Sequence, residues 1–134
     1  MISATADVDI QFYDLDPMGV VWHGNYARFF EQARCVLLDK IGYNYKQMEA
    51  SGYSWPVIDM HIRYINAIVF PQKVSITASL VEYENRLKIS YIILDETDQK
   101  LTKGTTVQVA VDAKTKELCL ESPRVLFDKV KAAL

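Results

Sequence analysis

The sequence is short of most features that would mark a special environment. No apolar run approaches the roughly 20 residues needed to cross a bilayer. No basic-then-apolar order at Met1–Asp7 suggests a secretory leader. Only two cysteines occur, Cys35 and Cys119, far apart and without a CxxC or Cys/His cluster. That spacing argues against a disulfide framework or a metal site. Neither sign of charge dominates: 15 Lys/Arg stand against 17 Asp/Glu, for a net charge of −2. Such a balance gives no electrostatic case for nucleic acid as a partner. No repeat, linker or low-complexity tract divides the 134 residues, so one domain over 1–134 is expected, in a reducing cytoplasm.

What is present is periodicity. Val8, Ile10 and Phe12 alternate with Asp9, Gln11 and Tyr13, which predicts a half-buried strand over Val8–Tyr13. From Tyr26 the period changes to a helical one. Tyr26, Phe29, Phe30, Ala33, Val36, Leu37 and Ile41 fall on one broad face, and Arg28, Glu31, Gln32, Arg34, Asp39 and Lys40 take the rest. Asn25 is the expected N-cap and Gly42 the expected residue past the C-cap. At ~1.5 Å per residue this helix is long for so small a domain. A short second helix is expected over Asn44–Ser51, with Asn44 and Gln47 as a capping box and Gly52 as its stop.

Beyond Pro56 strands dominate. Ile58–Tyr64, Val74–Leu80, Leu87–Leu94 and Thr106–Asp112 each alternate, with Glu84-Asn85 and Asp95–Lys100 as connections. A last helix is expected with Ser122 as N-cap and Pro123 in its first position. One long helix cannot serve as crossover for four later strands, so a parallel sheet is excluded. The pattern predicts an α+β domain in which a five-stranded antiparallel sheet wraps around the long helix. Ile92 and Leu94 fall on the nominal outer face, which points to a subunit interface.

The chemistry is expected in the stretch from Tyr13 to Tyr26. Asp16 precedes a Pro17/Gly19-punctuated turn that empties into the long helix. A carboxylate there is a base or nucleophile, and the free N–H groups at the helix's positive end suit an oxyanion. Other carboxylates are weighed lower: Asp14 as a solvated turn residue, and Glu31 as an i,i+3 partner of Arg34. Cys35 reads as core rather than reactive thiol, and His61 as structural or surface. Trp55, Met60 and Tyr64 are candidates for an acyl pocket or for core. Arg63, Lys73, Arg86 and Lys88 are candidates for a ligand's phosphates.

Asp16-Pro17-Met18-Gly19-Val20-Val21-Trp22-His23-Gly24-Asn25-Tyr26, followed by Phe29-Phe30-Glu31-Gln32-Ala33-Arg34, resembles the 4-hydroxybenzoyl-CoA thioesterase family of hotdog-fold proteins. Within it, the Tol-Pal-associated acyl-CoA thioesterase branch is the most similar. The resemblance covers the chain in element order. It implies a hotdog fold, homodimers with paired sheets that assemble into homotetramers, and active sites at subunit interfaces. It implies hydrolysis of a small to medium acyl-CoA to free acid and CoA, with Asp16 as nucleophile or general base. The His23 N–H would polarise the thioester carbonyl, and the His23 side chain is a second catalytic candidate. Gly19, Gly24, Asn25 and Tyr26 would line the substrate. His in place of Tyr at position 23 points to an aliphatic rather than a hydroxybenzoyl group. Alternatives are an acyl-carrier-protein thioesterase and a non-catalytic acyl-CoA-binding hotdog protein. A hydratase is disfavoured because no His-Phe-Pro type segment occurs. No cofactor is expected, since CoA is part of the substrate.

Overall fold

The computed structural model describes residues 1–134. In chain order the elements are β1 (Ser3–Asp9), α1 (Tyr26–Lys40), α2 (Tyr45–Ala50), β2 (Tyr53–Ser54), β3 (Val57–Tyr64), β4 (Lys73–Glu82), β5 (Leu87–Leu94), β6 (Lys100–Gln108), β7 (Val111–Asp112) and α3 (Arg124–Ala133). Single 3₁₀ turns at Phe12–Asp14 and His23–Asn25 lie between β1 and α1. The main sheet has the order β1-β4-β5-β6-β3 with every neighbour antiparallel, and β2 pairs separately with β7. This is the α+β hotdog arrangement that the resemblance implied.

The register explains how α1 is held. One row across the inner face runs Ala6, Ile76, Ile93, Thr102, Tyr64; the next runs Ala4, Ala78, Tyr91, Gly104, Ile62. Against these rows α1 buries Phe29, Phe30, Ala33, Leu37 and Leu38, all at most 1% exposed. Each of the larger side chains contributes about 1.5–3 kcal/mol on leaving water. Phe30 stacks on Tyr91 at 4.4 Å and an interplanar angle of 6°. It can do so because Gly104 sits beside Tyr91: a Cβ there would lie 2.4 Å from the Phe30 ring and 2.6 Å from the His61 carbonyl. The helix ends in a Schellman turn, with the Tyr43 N–H donating to Leu38, the Gly42 N–H donating to Asp39, and Gly42 at φ +73°. The Asn44/Gln47 capping box forms as expected at the start of α2.

Several boundaries differ from the sequence reading. β1 lies upstream of the expected strand and ends at Asp9. Gln11 donates its N–H to the Asp14 carboxylate (2.9 Å) rather than to a neighbouring strand, which leaves Phe12 and Tyr13 75% and 81% exposed. β6 begins at Lys100 and ends at Gln108, earlier than the expected strand. Arg34, assigned to the polar arc, is buried beside Tyr91 and Tyr45. In α3 the N-cap is Pro123, and Ser122 instead donates its N–H to Glu84, tying the tail to the β4–β5 hairpin. Ile92 and Leu94 do lie on the outer face, half-buried within one chain.

With β1, β3 is one of the sheet's two open edges. Val57, Ile58, Met60 and Tyr64 along it, and Ile65 just beyond, are each more than 40% exposed. No helix is long and apolar enough to cross a membrane.

Candidate active site

Residues 10–25 form a compact loop built on one buried carboxylate. Asp14 is 2% exposed. Its Oδ2 accepts the Gln11 N–H (2.9 Å) and its Oδ1 accepts Arg28 Nη2 (2.6 Å) from the first turns of α1. Its carbonyl accepts both the Trp22 N–H (3.0 Å) and the Asn25 side-chain amide (2.9 Å). Asp14 is therefore not a solvated turn residue but the hub that folds the loop onto the helix. Asn25 fills the N-cap position, yet its side chain serves Asp14 and caps nothing.

From this hub a tight hairpin projects. Leu15 bridges to Val21, the Asp16 N–H donates to Val20 (2.8 Å) and the Gly19 N–H donates to Asp16 (3.0 Å). Pro17 at the second position and Gly19 at φ +81° match a type I turn closed by a left-handed residue. The turn places the Asp16 carboxylate at its mouth. One oxygen, Oδ1, accepts the Met18 N–H (2.8 Å), and the side chain is half-buried. The Val21 N–H donates to Ile68 (2.8 Å), which joins the loop to the segment after β3.

Asp16 and His23 line one cleft of about 240 Å³ together with Val20, Tyr26, Tyr64 and Ile65. His23 opens the 3₁₀ turn that leads into α1. Neither its N–H nor that of Gly24 donates to any backbone or side-chain acceptor in the chain. Both are the unsatisfied donors expected at a helix start. Trp22 lies over Gly24 so closely that a Cβ there would sit 2.4 Å from the indole. Tyr64 donates its hydroxyl to the His23 carbonyl (2.9 Å) and meets Tyr26 edge-on at 4.7 Å. Burial raises the pKa of both phenols above the ordinary tyrosine value, which keeps both neutral.

The four basic candidates lie elsewhere on the same chain. Arg63 stands opposite Lys103 on the outer sheet face, where both border a depression of about 480 Å³. That depression is the larger of the two, but no carboxylate lines it, whereas the smaller cleft is lined by both Asp16 and His23, whose N–H is free. Lys73 faces Asp9 across β1–β4. Arg86 pairs with Glu82 (2.9 Å), and Lys88 stands opposite Glu82. Glu31 pairs with Arg34, whose Nε also donates to Tyr45 Oη (2.9 Å). Burial, the largest influence there, pushes the Tyr45 phenol up to about 12. His61 is exposed on the outer face, and Trp55 is core, donating its indole N–H to Tyr43 (3.2 Å). Cys35 is half-buried, and desolvation raises its pKa, which suits a packing thiol rather than a reactive one.

The Asp14–Arg28 pair and the Tyr64–His23 contact were not read from the sequence. The only signal for the first was an Asp and an Arg on opposite sides of the helix start. The second joins residues 41 positions apart, and no local pattern announces it.

The family model of the thioesterase-like superfamily matches residues 10–133. YneP of Bacillus subtilis (strain 168), whose name proposes an acyl-CoA thioesterase, is 25% identical over 107 residues, 79% of this chain and 78% of its own. The DHNA-CoA thioesterase of Staphylococcus aureus superposes with a TM-score of 0.85 at 30% identity, covering 98% of this chain and 93% of that one. A mutant 4-hydroxybenzoyl-CoA thioesterase, solved in complex with 4-hydroxybenzoyl-CoA, shares the fold at a TM-score of 0.83 and 17% identity, over 96% of this chain and 99% of that one.

Proposed function

The chain belongs to the thioesterase-like superfamily and is a thioester hydrolase, and from that premise we propose that it splits a small to medium acyl-CoA into free acid and CoA, with Asp16 as the catalytic carboxylate. The observation that carries this reading is the shared cleft: Asp16, with a half-buried carboxylate, and His23, with an unbonded N–H, line one space at a helix start. At about 240 Å³ the cleft is smaller than the ~300–1,000 Å³ of typical small-molecule sites. It therefore suits the acyl group and thioester, with the CoA nucleotide outside.

In the reaction the thioester carbonyl oxygen accepts the His23 N–H. Negative charge growing on that oxygen is stabilised by a donor already oriented at the positive end of α1. Asp16 then takes one of two roles. As a nucleophile, its free oxygen attacks the carbonyl carbon, CoA leaves as thiolate, and water hydrolyses the mixed anhydride. As a general base, it removes a proton from a water that attacks directly. Neither role calls for a metal or redox cofactor, since water, a carboxylate and amide donors complete the chemistry. In this reading the imidazole of His23, exposed in the chain, is the side chain that meets the departing sulfur.

Self-association belongs to the same reading. The apolar, unpaired β3 edge suits pairing with β3 of a second copy, and that pairing would roof the cleft at Tyr64 and Ile65. Two free thiols, Cys35 and Cys119, accord with a reducing cytoplasm. The deciding experiment is thiol release from short, medium, long and aromatic acyl-CoAs by the wild type and by Asp16→Asn. Release that collapses in the variant supports the reading. Release that survives it moves the carboxylate elsewhere, and no release from any acyl-CoA overturns hydrolysis of CoA esters.

A further inference from the structure

The His23 carbonyl is held by a side chain 41 positions away in the sequence. Tyr64, the last residue of β3, donates its hydroxyl to that oxygen at 2.9 Å. Its ring is braced edge-on against Tyr26 at 4.7 Å, and Tyr26 itself is 3% exposed. A carbonyl and the N–H of the following residue belong to one rigid peptide plane. Fixing the His23 carbonyl therefore fixes the direction of the Gly24 N–H. The preceding plane is fixed in the same way, because the Trp22 carbonyl accepts the Asn25 N–H (2.9 Å) and so orients the His23 N–H. Two successive peptides at the mouth of α1 are thus clamped by their oxygens, and neither spends its N–H within the chain.

We infer that Tyr64 is a positioning residue for the thioester site, locking the His23–Gly24 peptide so that the Gly24 N–H serves as a second oxyanion donor beside that of His23. The inference rests on the thioesterase reading and extends it from one donor to two. Several features at the site agree with it. Trp22 lies against Gly24 on the side where a Cβ would project, so the peptide is in close contact on that face. Tyr64 and His23 line the same cleft as Asp16, which places the clamp beside the reacting atoms. The hydroxyl acts through the peptide and not on the substrate.

The test is Tyr64→Phe, which removes one oxygen and keeps the ring against Tyr26. With an acyl-CoA that the wild type turns over, kcat is expected to fall roughly 10–100-fold, the scale of a small misplacement of a catalytic group. KM should stay within about twofold, because the donor holds the charged transition state far more strongly than the neutral ester. A second readout separates positioning from mere packing. In an Asp16→Asn background, which holds the thioester intact, the carbonyl stretch of bound acyl-CoA should move to higher frequency when Tyr64→Phe is added, since a misaimed donor polarises it less. Unchanged kcat, or a rise in KM alone, overturns the inference while leaving the thioesterase reading in place. An unshifted carbonyl band also overturns it. If the wild type itself releases no thiol, the thioesterase reading is what fails.

Discussion

Asp14 Oδ1 and Arg28 Nη2 meet at 2.6 Å, and theirs is the only one of the chain's four ion pairs that reaches across more than a single helical turn or hairpin. The other three link residues three or four apart in sequence. The pair welds the loop that bears Asp16 to α1, with the carboxylate 3% and the guanidinium side 48% exposed. Asp14→Ala is expected to destabilise the fold by about 2 kcal/mol, the scale of a lost charged hydrogen bond with one partner half in water. It should also lower kcat, because the hairpin loses its anchor. Urea denaturation and thiol release on the same preparation check both effects.

Asp16→Asn should leave stability nearly unchanged. The amide oxygen of Asn still accepts the Met18 N–H that Oδ1 accepts now. Turnover should nevertheless fall by about 10²–10⁴-fold if the residue is a general base. Thiol release from an acyl-CoA, alongside a melting curve, reads the separation of the two.

The two roles of Asp16 predict different fates for a solvent oxygen. In heavy-oxygen water, a nucleophilic Asp16 whose anhydride opens at the aspartyl carbon gains one heavy oxygen and hands its own to the acid. A general base leaves its carboxylate unlabelled. Label found by mass spectrometry in the peptide carrying Asp16 after a single turnover therefore establishes the covalent route.

Gly24→Ala and Gly104→Ala should differ in kind. At Gly104 the new methyl meets a buried Phe30 ring and a backbone carbonyl, neither of which can withdraw. A cost of about 3 kcal/mol, at the top of the overpacking range, is expected in equilibrium unfolding. At Gly24 it meets the Trp22 indole, 49% exposed and free to swing out. Stability should hold there while kcat falls with the disturbed His23–Gly24 peptide.

Alkali should weaken the fold through Tyr45. Its phenol is raised from 10.0 to about 12 in the folded chain, chiefly by burial. A group with a raised folded pKa contributes stability that is whole below about 10 and is lost as the pH climbs through about 12, since the unfolded chain ionises first. Water reaches 39% of the residue's surface, so the loss is modest. Tyr45→Phe should flatten that part of the stability–pH curve, read by urea midpoints across the range.

The sequence announced those parts of the fold whose buried side is apolar. Phe29, Phe30, Ala33 and Leu37 marked α1, and Ile76, Ala78, Ile89 and Ile93 marked the centre of the sheet. It hid the parts whose buried side is polar. The inner row of β6 is Thr102, Gly104, Thr106 and Gln108, so no apolar alternation marks its first half. The structure supplies the reason for that row. Thr106 hydrogen-bonds with the Tyr91 hydroxyl (2.7 Å), Gln108 donates to the Trp55 carbonyl (2.7 Å), and Gly104 clears space for Phe30. The Glu31–Arg34 pair was legible as an i,i+3 spacing and forms, but the burial of Arg34 was not, because a charge reads as solvent-facing until its distant partner, Tyr45, is seen. At the site, the turn that carries Asp16 and the glycines was legible because turn chemistry is local. The role of Asp14 was not, because its partners include Trp22 and Asn25, 8 and 11 positions away.

The seat of Phe30 over Gly104 fixes more than a packing distance. At 15 residues α1 is a rod of ~22 Å, and Phe30 lies only ~6 Å from its first residue. The missing side chain at position 104 therefore sets how deeply the first turns of α1 sink onto the sheet. Because the chain runs straight from His23 and Gly24 into those turns, the same glycine sets the height at which the free amide donors stand.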